Sequence, residues 1–95
     1  MKYFKRSWEQ SRGDEYDDWG TSVWFLEVHE GRWLNRQLQI YENGNVLSYD
    51  ESHDLDEYGG LGDQEVDLVE FAEFEIDADQ FEQQWQSAKP LNRGG

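Results

Sequence analysis

The chain has 95 residues and no cysteine, and its 22 acidic and 8 basic side chains give a formal net charge of −14. A chain of this length makes one small domain, and without cysteine it has neither disulfides nor thiolate metal sites. The charge disfavours binding to nucleic acid or to an anionic membrane. Five Trp, five Tyr and five Phe supply apolar area for a core, so we do not expect disorder.

The order of apolar and polar residues predicts a β-sheet in the first half of the chain. Residues 10–20 are polar and predict a loop, and Glu30-Gly31 predicts a short turn. Asn43-Gly44 predicts a two-residue hairpin, because both residues tolerate positive φ. We predict strands over 3–8, 21–29, 32–41 and 45–49.

The second half of the chain is less regular. Residues 50–64 are rich in glycine and acids and predict a loop. Residues 65–76 fit neither the helical nor the strand period, so a short strand and an irregular segment both remain open. Asp77 predicts the start of a helix that is capped together with Gln80, and Pro90 ends it.

Strands followed by one helix predict an α+β fold, an antiparallel sheet of about four to five strands with one C-terminal helix packed on it. We expect a single domain over residues 1–90 and a flexible tail over 91–95. Arg36 lies mid-strand on the same face as Leu34, so its charge must either be paired or extend to solvent. We expect a carboxylate partner from the acidic stretch that follows it. Trp33 and Tyr41 share the opposite face. They are expected either to be partly exposed or to be covered by a loop or the first strand.

The negative charge is concentrated after Arg36. No lysine or arginine lies between Arg36 and Lys89, whereas 15 of the 52 residues in that stretch are acidic. A field of this sign attracts cationic surfaces and speeds association with them. We therefore expect a basic protein partner.

The sequence offers little that is typical of an enzyme or of a metal site. Residues 54–65 approach the spacing of a calcium-binding EF-hand loop, but Tyr58 occupies a position that needs an oxygen ligand, and no helix is predicted before the loop. His29 and His53 are isolated, and no nucleophile motif is present. We therefore expect no catalytic residue, no cofactor and no bound metal.

A resemblance to a known family spans most of the chain. The stretch from Trp33 to Gly44 resembles the W-x-x-R-x-V-E-x-F-x-D-G signature of a small bacterial domain of unknown function, and segments 3–8 and 74–88 resemble the ends of that family. The chain departs from the signature at Gln39, where the family has Glu. The resemblance implies an immunity-type protein that accompanies a bacterial polymorphic toxin, and it implies no catalytic residues.

Charge and resemblance together predict a cytoplasmic immunity protein that neutralises a cationic toxin domain. A nuclease is the expected toxin, because nucleases need positive clefts to hold phosphates. The alternatives are a DNA-mimic inhibitor of a DNA-binding protein and a divalent-cation-binding module. The predicted partner-binding residues are Asp14, Glu15, Asp17 and Asp18 in one loop, Asp50, Glu51, Asp54, Asp56 and Glu57 in another, and Trp33 and Tyr41 on the sheet.

Overall fold

A computed structural model of the chain describes residues 1–30, 32–62 and 65–93. Within these residues, five strands form one antiparallel sheet in the order β4-β3-β2-β1-β7, and β5 and β6 pair as a separate hairpin. The strands are β1 (Lys2–Trp8), β2 (Ser22–Val28), β3 (Leu34–Tyr41), β4 (Val46–Asp50), β5 (Leu55–Asp56), β6 (Gly59–Gly60) and β7 (Glu75–Ile76). The helices are α1 (Leu68–Phe71) and α2 (Ala78–Ser87), with 3-10 turns at Asp17–Trp19, Ala72–Phe74 and Leu91–Arg93.

The predicted α+β class with an antiparallel sheet is confirmed, but the helix count is one too low. The ambiguous stretch 65–76 contains α1 as well as the short edge strand β7. Asp67 starts α1 by accepting hydrogen bonds from the N–H groups of Val69 and Glu70. None of the helices in the described residues is long and apolar enough to cross a bilayer.

The hairpin between β3 and β4 has a longer loop than predicted. The Tyr41 N–H donates to the Asn45 carbonyl over 2.8 Å, which leaves residues 42–44 in the loop. Gly44 adopts a φ of 95°, whereas Asn43 is not in the positive-φ region. This is the three-residue type of hairpin, in which one left-handed residue follows a turn. The other predicted turn is Glu30-Gly31. Its second residue, Gly31, lies outside the described residues.

A β-bulge in β3 changes which face Leu34 occupies. Glu27 pairs with Arg36, but the next residue, Val28, pairs with Leu34, so Asn35 is the extra residue. Because a bulge shifts the alternation of faces, Leu34 packs beside Val28 and not on the Arg36 face, where the sequence predicts it. Arg36 itself stays on the face that α2 covers.

Helix α2 forms as predicted and covers one face of the sheet. The Asp77 carboxylate accepts from the Gln80 N–H over 2.8 Å, and the Gln80 side chain accepts from the Asp77 N–H over 3.1 Å. Together these bonds satisfy two of the donors that a helix start leaves unpaired. Phe81 is thereby held fully buried against Phe25 and Leu38.

Arg36 connects this helix to the sheet. Its guanidinium makes two hydrogen bonds to Glu27, of 2.8 and 2.6 Å, and it also pairs with Glu82 of α2. The guanidinium lies 4.8 Å from the ring centre of Phe81 and 5.0 Å from that of Trp85. The predicted carboxylate partner is therefore present in Glu82, and β2 supplies a second one in Glu27.

Three residues of the predicted flexible tail, 91–93, contact the sheet. Leu91–Arg93 form a 3-10 turn that docks on the outer side of β4. The Asn92 side chain accepts from the Ser48 N–H over 3.0 Å and donates to the Ser48 carbonyl over 2.8 Å. Arg93 pairs with Asp50 over 3.2 Å. The remainder of the predicted tail, residues 94 and 95, lies outside the described residues.

Candidate functional site

The structure brings the two predicted acidic loops together. We name residues 10–20 acidic loop 1 and residues 50–62 acidic loop 2. The rings of Tyr16 and Tyr58 lie 5.3 Å apart, and Arg12 donates a hydrogen bond to the Tyr58 carbonyl. Two segments about 40 residues apart in the sequence therefore present one surface.

Two of the predicted carboxylates shape acidic loop 1 from within. Asp14 accepts from the Tyr16 N–H over 2.9 Å and pairs with Arg12 over 3.0 Å. Asp17 accepts from the Ser11 hydroxyl over 2.5 Å and from the Gly13 N–H over 2.7 Å. Because these hydrogen bonds favour the charged form, the pKa of each carboxyl lies below its usual value.

Glu15 and Asp18 complete the predicted acids of this loop. Both side chains are exposed. They therefore remain accessible to a partner while their neighbours hold the loop backbone.

Tyr41 is not an exposed anchor, which corrects one of the two predicted possibilities. Its side chain is 5% exposed because acidic loop 1 folds over it. Trp19 lies 5.1 Å from it edge-on, and the Arg12 guanidinium lies 5.9 Å from its ring centre. The Tyr41 hydroxyl donates to Gln39 over 2.7 Å. Its role is to hold acidic loop 1 on the sheet.

Asp56 is the internal support of acidic loop 2. Its carboxylate accepts from the Tyr49 hydroxyl over 2.9 Å, from the Tyr58 N–H over 2.9 Å and from the Asn92 amide over 2.8 Å, and it lies 2.8 Å from His53 Nε2. Burial disfavours its ionised form, but these hydrogen bonds outweigh burial and lower its pKa to about 2. Asp56 is thus a structural carboxylate, although the sequence predicts it as a partner contact.

Asp50 has a similar role where β4 enters the loop. It accepts from the Ser52 N–H over 3.0 Å and the His53 N–H over 2.9 Å, and it pairs with Arg93. Burial raises its pKa, but the bonds from Ser52 and Arg93 prevail, so the pKa lies below its usual value. Asp50 therefore mainly stabilises the conformation of the loop, and its carboxylate is less available to a partner.

The outer surface of acidic loop 2 is made by exposed acids around one exposed leucine. Glu51, Asp54 and Glu57 are exposed, and Leu55 in β5 is 77% exposed. A single exposed apolar side chain is common on protein surfaces, so Leu55 alone does not indicate an interface. Leu55 is not among the residues that the sequence predicts as partner contacts.

The structure describes only part of the segment with EF-hand-like spacing. Its residues 55–60 form the β5-β6 hairpin, and residues 63 and 64 lie outside the described residues. The Asp56 oxygens are engaged by protein donors, and no cluster of three metal-ligating side chains occurs among residues 1–30, 32–62 and 65–93.

Trp33 is exposed but lies apart from acidic loop 1. Its side chain is 46% exposed, and it belongs to the turn after β2, whereas acidic loop 1 precedes β2. A strand of seven residues separates the two, which is roughly 20 Å. Trp33 therefore does not belong to the surface that acidic loop 1 forms.

Beside the two loops, the sheet face opposite α2 carries an open groove of about 660 Å³. Its floor contains Trp24, Leu26, Gln37 and Gln39, and its walls are formed by β1, both acidic loops and α1. The Trp24 indole donates to Ser22 over 2.8 Å, which fixes the ring on the floor. This groove was not predicted from the sequence.

Comparisons of the chain with protein-family models, with curated proteins and with solved structures gave no match. The resemblance of residues 33–44 to a bacterial family therefore stays a prediction. The fold and the site define a small acidic α+β domain that presents two joined acidic loops beside a groove.

Proposed function

We propose that this protein is a non-catalytic inhibitor of the immunity type, which binds a cationic toxin domain in the cytoplasm through the two acidic loops. The supporting observation is the contact of the loops through Tyr16 and Tyr58, which combines two acidic segments into one surface. A nuclease domain is the proposed partner, because its phosphate-binding cleft carries the complementary charge.

The arrangement of charges supports binding without large rearrangement. Asp14, Asp17, Asp50 and Asp56 are held by hydrogen bonds within the protein. The exposed acids are thus carried on loops whose backbone is already ordered, which lowers the entropic cost of association. Long-range attraction between the surfaces would accelerate encounter more than it would slow dissociation.

The test starts from the product of the neighbouring reading frame, because an immunity protein is expected to be encoded beside its toxin. The two proteins are mixed at 50 and 300 mM NaCl, and association is followed by stopped-flow tryptophan fluorescence. We expect a nanomolar complex that abolishes the toxin's activity and an association rate that falls at least tenfold at the higher salt concentration.

A charge-matched pair of variants locates the interface. Glu15→Lys with Glu57→Lys reverses one exposed acid on each loop, and Glu30→Lys with Glu73→Lys makes the same net change elsewhere. The loop variant should associate at least tenfold more slowly than the control variant. Equal rates for the two variants would refute the acidic loops as the interface. Capture of a DNA-binding protein without toxin activity would favour the DNA-mimic alternative.

A further inference from the structure

The groove lies on the sheet face opposite α2, between the elements that the described residues place there. Helix α2 packs on the opposite face, whereas the described residues that border the groove belong to β1, the two acidic loops, the four-residue α1 and the segment that leads into it. Its volume, about 660 Å³, lies within the range of about 300–1,000 Å³ that is usual for ligand sites. The floor combines the partly exposed Trp24 and Leu34 with the buried Leu26, Gln37 and Gln39. Trp24 and Leu34 favour contact with an apolar side chain.

The charges along the groove favour a basic occupant. Two arginines line it, and both have carboxylate partners within the protein. Arg12 lies 3.0 Å from Asp14, and Arg6 lies 3.4 Å from Glu70. Arg6 is further held 4.8 Å from the ring centre of Phe71. With these pairs formed, the remaining charged lining residues that the structure describes are acidic, Glu65 and Asp67.

The groove is continuous with the proposed interface. Arg12 and Asp14 of acidic loop 1 and residues 58–60 of acidic loop 2 all line it. A partner on the two loops would therefore reach into the groove. The floor also binds extended backbone within the protein, because the Gln37 amide donates to the Gly60 carbonyl over 3.3 Å and accepts from the Gly62 N–H over 3.2 Å.

We propose that the groove receives an extended segment of the partner in which an aromatic or aliphatic side chain is flanked by lysine or arginine. The apolar side chain lies on the floor near Trp24, and the flanking cations lie at the rim near Glu65 and Asp67. This inference rests on the proposed function only for the existence of a protein partner, because the basic character of the segment follows from the charges of the groove. The segment acts as the anchor, and the acidic loops supply the attraction.

The experiment uses a phage-displayed library of random linear heptapeptides selected on the full-length protein. We expect the selected peptides to carry an aromatic or aliphatic residue beside lysine or arginine. The affinity of one synthetic selected peptide is then measured by fluorescence anisotropy. Trp8→Ala should weaken binding at least tenfold, because Trp8 lines the groove and is 45% exposed.

The matched control is Trp33→Ala, which removes a tryptophan of nearly equal exposure, 46%, outside the groove lining. It should leave the peptide affinity unchanged. A second pair covers the case in which Trp8→Ala does not fold. Here Glu65→Lys at the rim should weaken the binding of the basic peptide at least threefold, whereas Glu73→Lys should leave that affinity unchanged.

Peptides without basic residues, or equal losses in each matched pair, would overturn the proposal. The result is separable from the toxin test. If the charge reversals in the loops slow association with the toxin but the groove variants change no affinity, the inhibitor proposal stands and the groove proposal fails. If selected basic peptides bind in the groove but the loop variants do not change association with the toxin, the groove proposal stands and the inhibitor proposal fails.

Discussion

Arg36 lies between two carboxylates that differ mainly in their exposure. The Glu27 side chain is 4% exposed and that of Glu82 is 41% exposed. An ion pair contributes little where water screens it, whereas removing one partner of a buried pair leaves an uncompensated charge. The same arginine therefore provides an internal comparison of two environments.

We predict that Glu27→Gln lowers the free energy of unfolding by about 2 kcal/mol, because Arg36 then loses its buried charged partner and keeps only the more exposed Glu82. Glu82→Gln should cost less than about 1 kcal/mol, because water and Glu27 still serve the guanidinium. Urea denaturation at pH 7 measures both variants. Equal losses would mean that exposure does not separate the two pairs.

Asp56 should give the stability of the protein a pH dependence of defined sign. Its pKa is about 2 in the folded protein, against about 3.9 in an unfolded chain. A depressed folded pKa contributes stability that is fully present above the unfolded value and is lost as pH falls through the folded value. The relevant window therefore runs from about pH 4 down to about pH 2.

We predict that Asp56→Asn costs about 1–3 kcal/mol at pH 7, because it removes a charged acceptor of several hydrogen bonds. The difference from the unsubstituted protein should shrink between pH 4 and pH 2, as the carboxylate becomes protonated. Chemical denaturation across this range measures it. Asp54→Asn, at an exposed neighbour, is the control and should stay within about 0.5 kcal/mol. A difference that does not change with pH would contradict the assignment.

Among the secondary-structure elements, those with a local signal were predictable from the sequence. Strands β2 and β3 show clear alternation of residues, and α2 has a capping pair at its start, so all three were predicted close to their observed bounds. Helix α1 has only four residues, which is too short for a helical period to appear. The bulge at Asn35 was not predicted either, because it depends on the pairing of two strands.

The candidate site was predictable only in part, because its acids are local but its contacts are not. The acidic composition of the two loops could be read directly. The contact between the two loops depends on a hydrogen bond from Arg12 to Tyr58, 46 residues away. The burial of Tyr41 depends on how acidic loop 1 folds. Hence the sequence could not separate supporting carboxylates such as Asp56 from exposed ones such as Glu57.

The start of α2 yields a prediction at the level of one element. Asp77→Ala should lower the free energy of unfolding by about 1 kcal/mol, because the first turn loses its side-chain acceptor. Asp79→Ala removes an acid of the first turn that is not the cap, so only its interaction with the helix dipole is lost. Thermal denaturation in low and high salt separates the two effects. The loss of stability caused by Asp79→Ala should vanish in high salt, whereas the loss caused by Asp77→Ala should persist.

For the molecule as a whole, the net charge of −14 opposes compaction through repulsion between the acids. We predict that the melting temperature rises when NaCl is increased from 10 to 300 mM, since the Debye length shortens from about 30 Å to below about 8 Å. Differential scanning calorimetry measures the rise. The rise should be smaller in the Glu30→Lys, Glu73→Lys variant, which carries less charge. An unchanged or falling melting temperature would show that repulsion is not significant.

The contact between Asn92 and Ser48 has a consequence for the edge of the sheet. Strand β4 is at the rim of the sheet, where unpaired backbone groups are a template for another chain. The Asn92 amide occupies the N–H and the carbonyl of Ser48 in the way that one residue of a neighbouring strand would. This side chain thus satisfies two edge groups of β4 that another strand could otherwise pair with. Replacing Asn92 with alanine would leave both groups unpaired and favour the pairing of β4 with another chain.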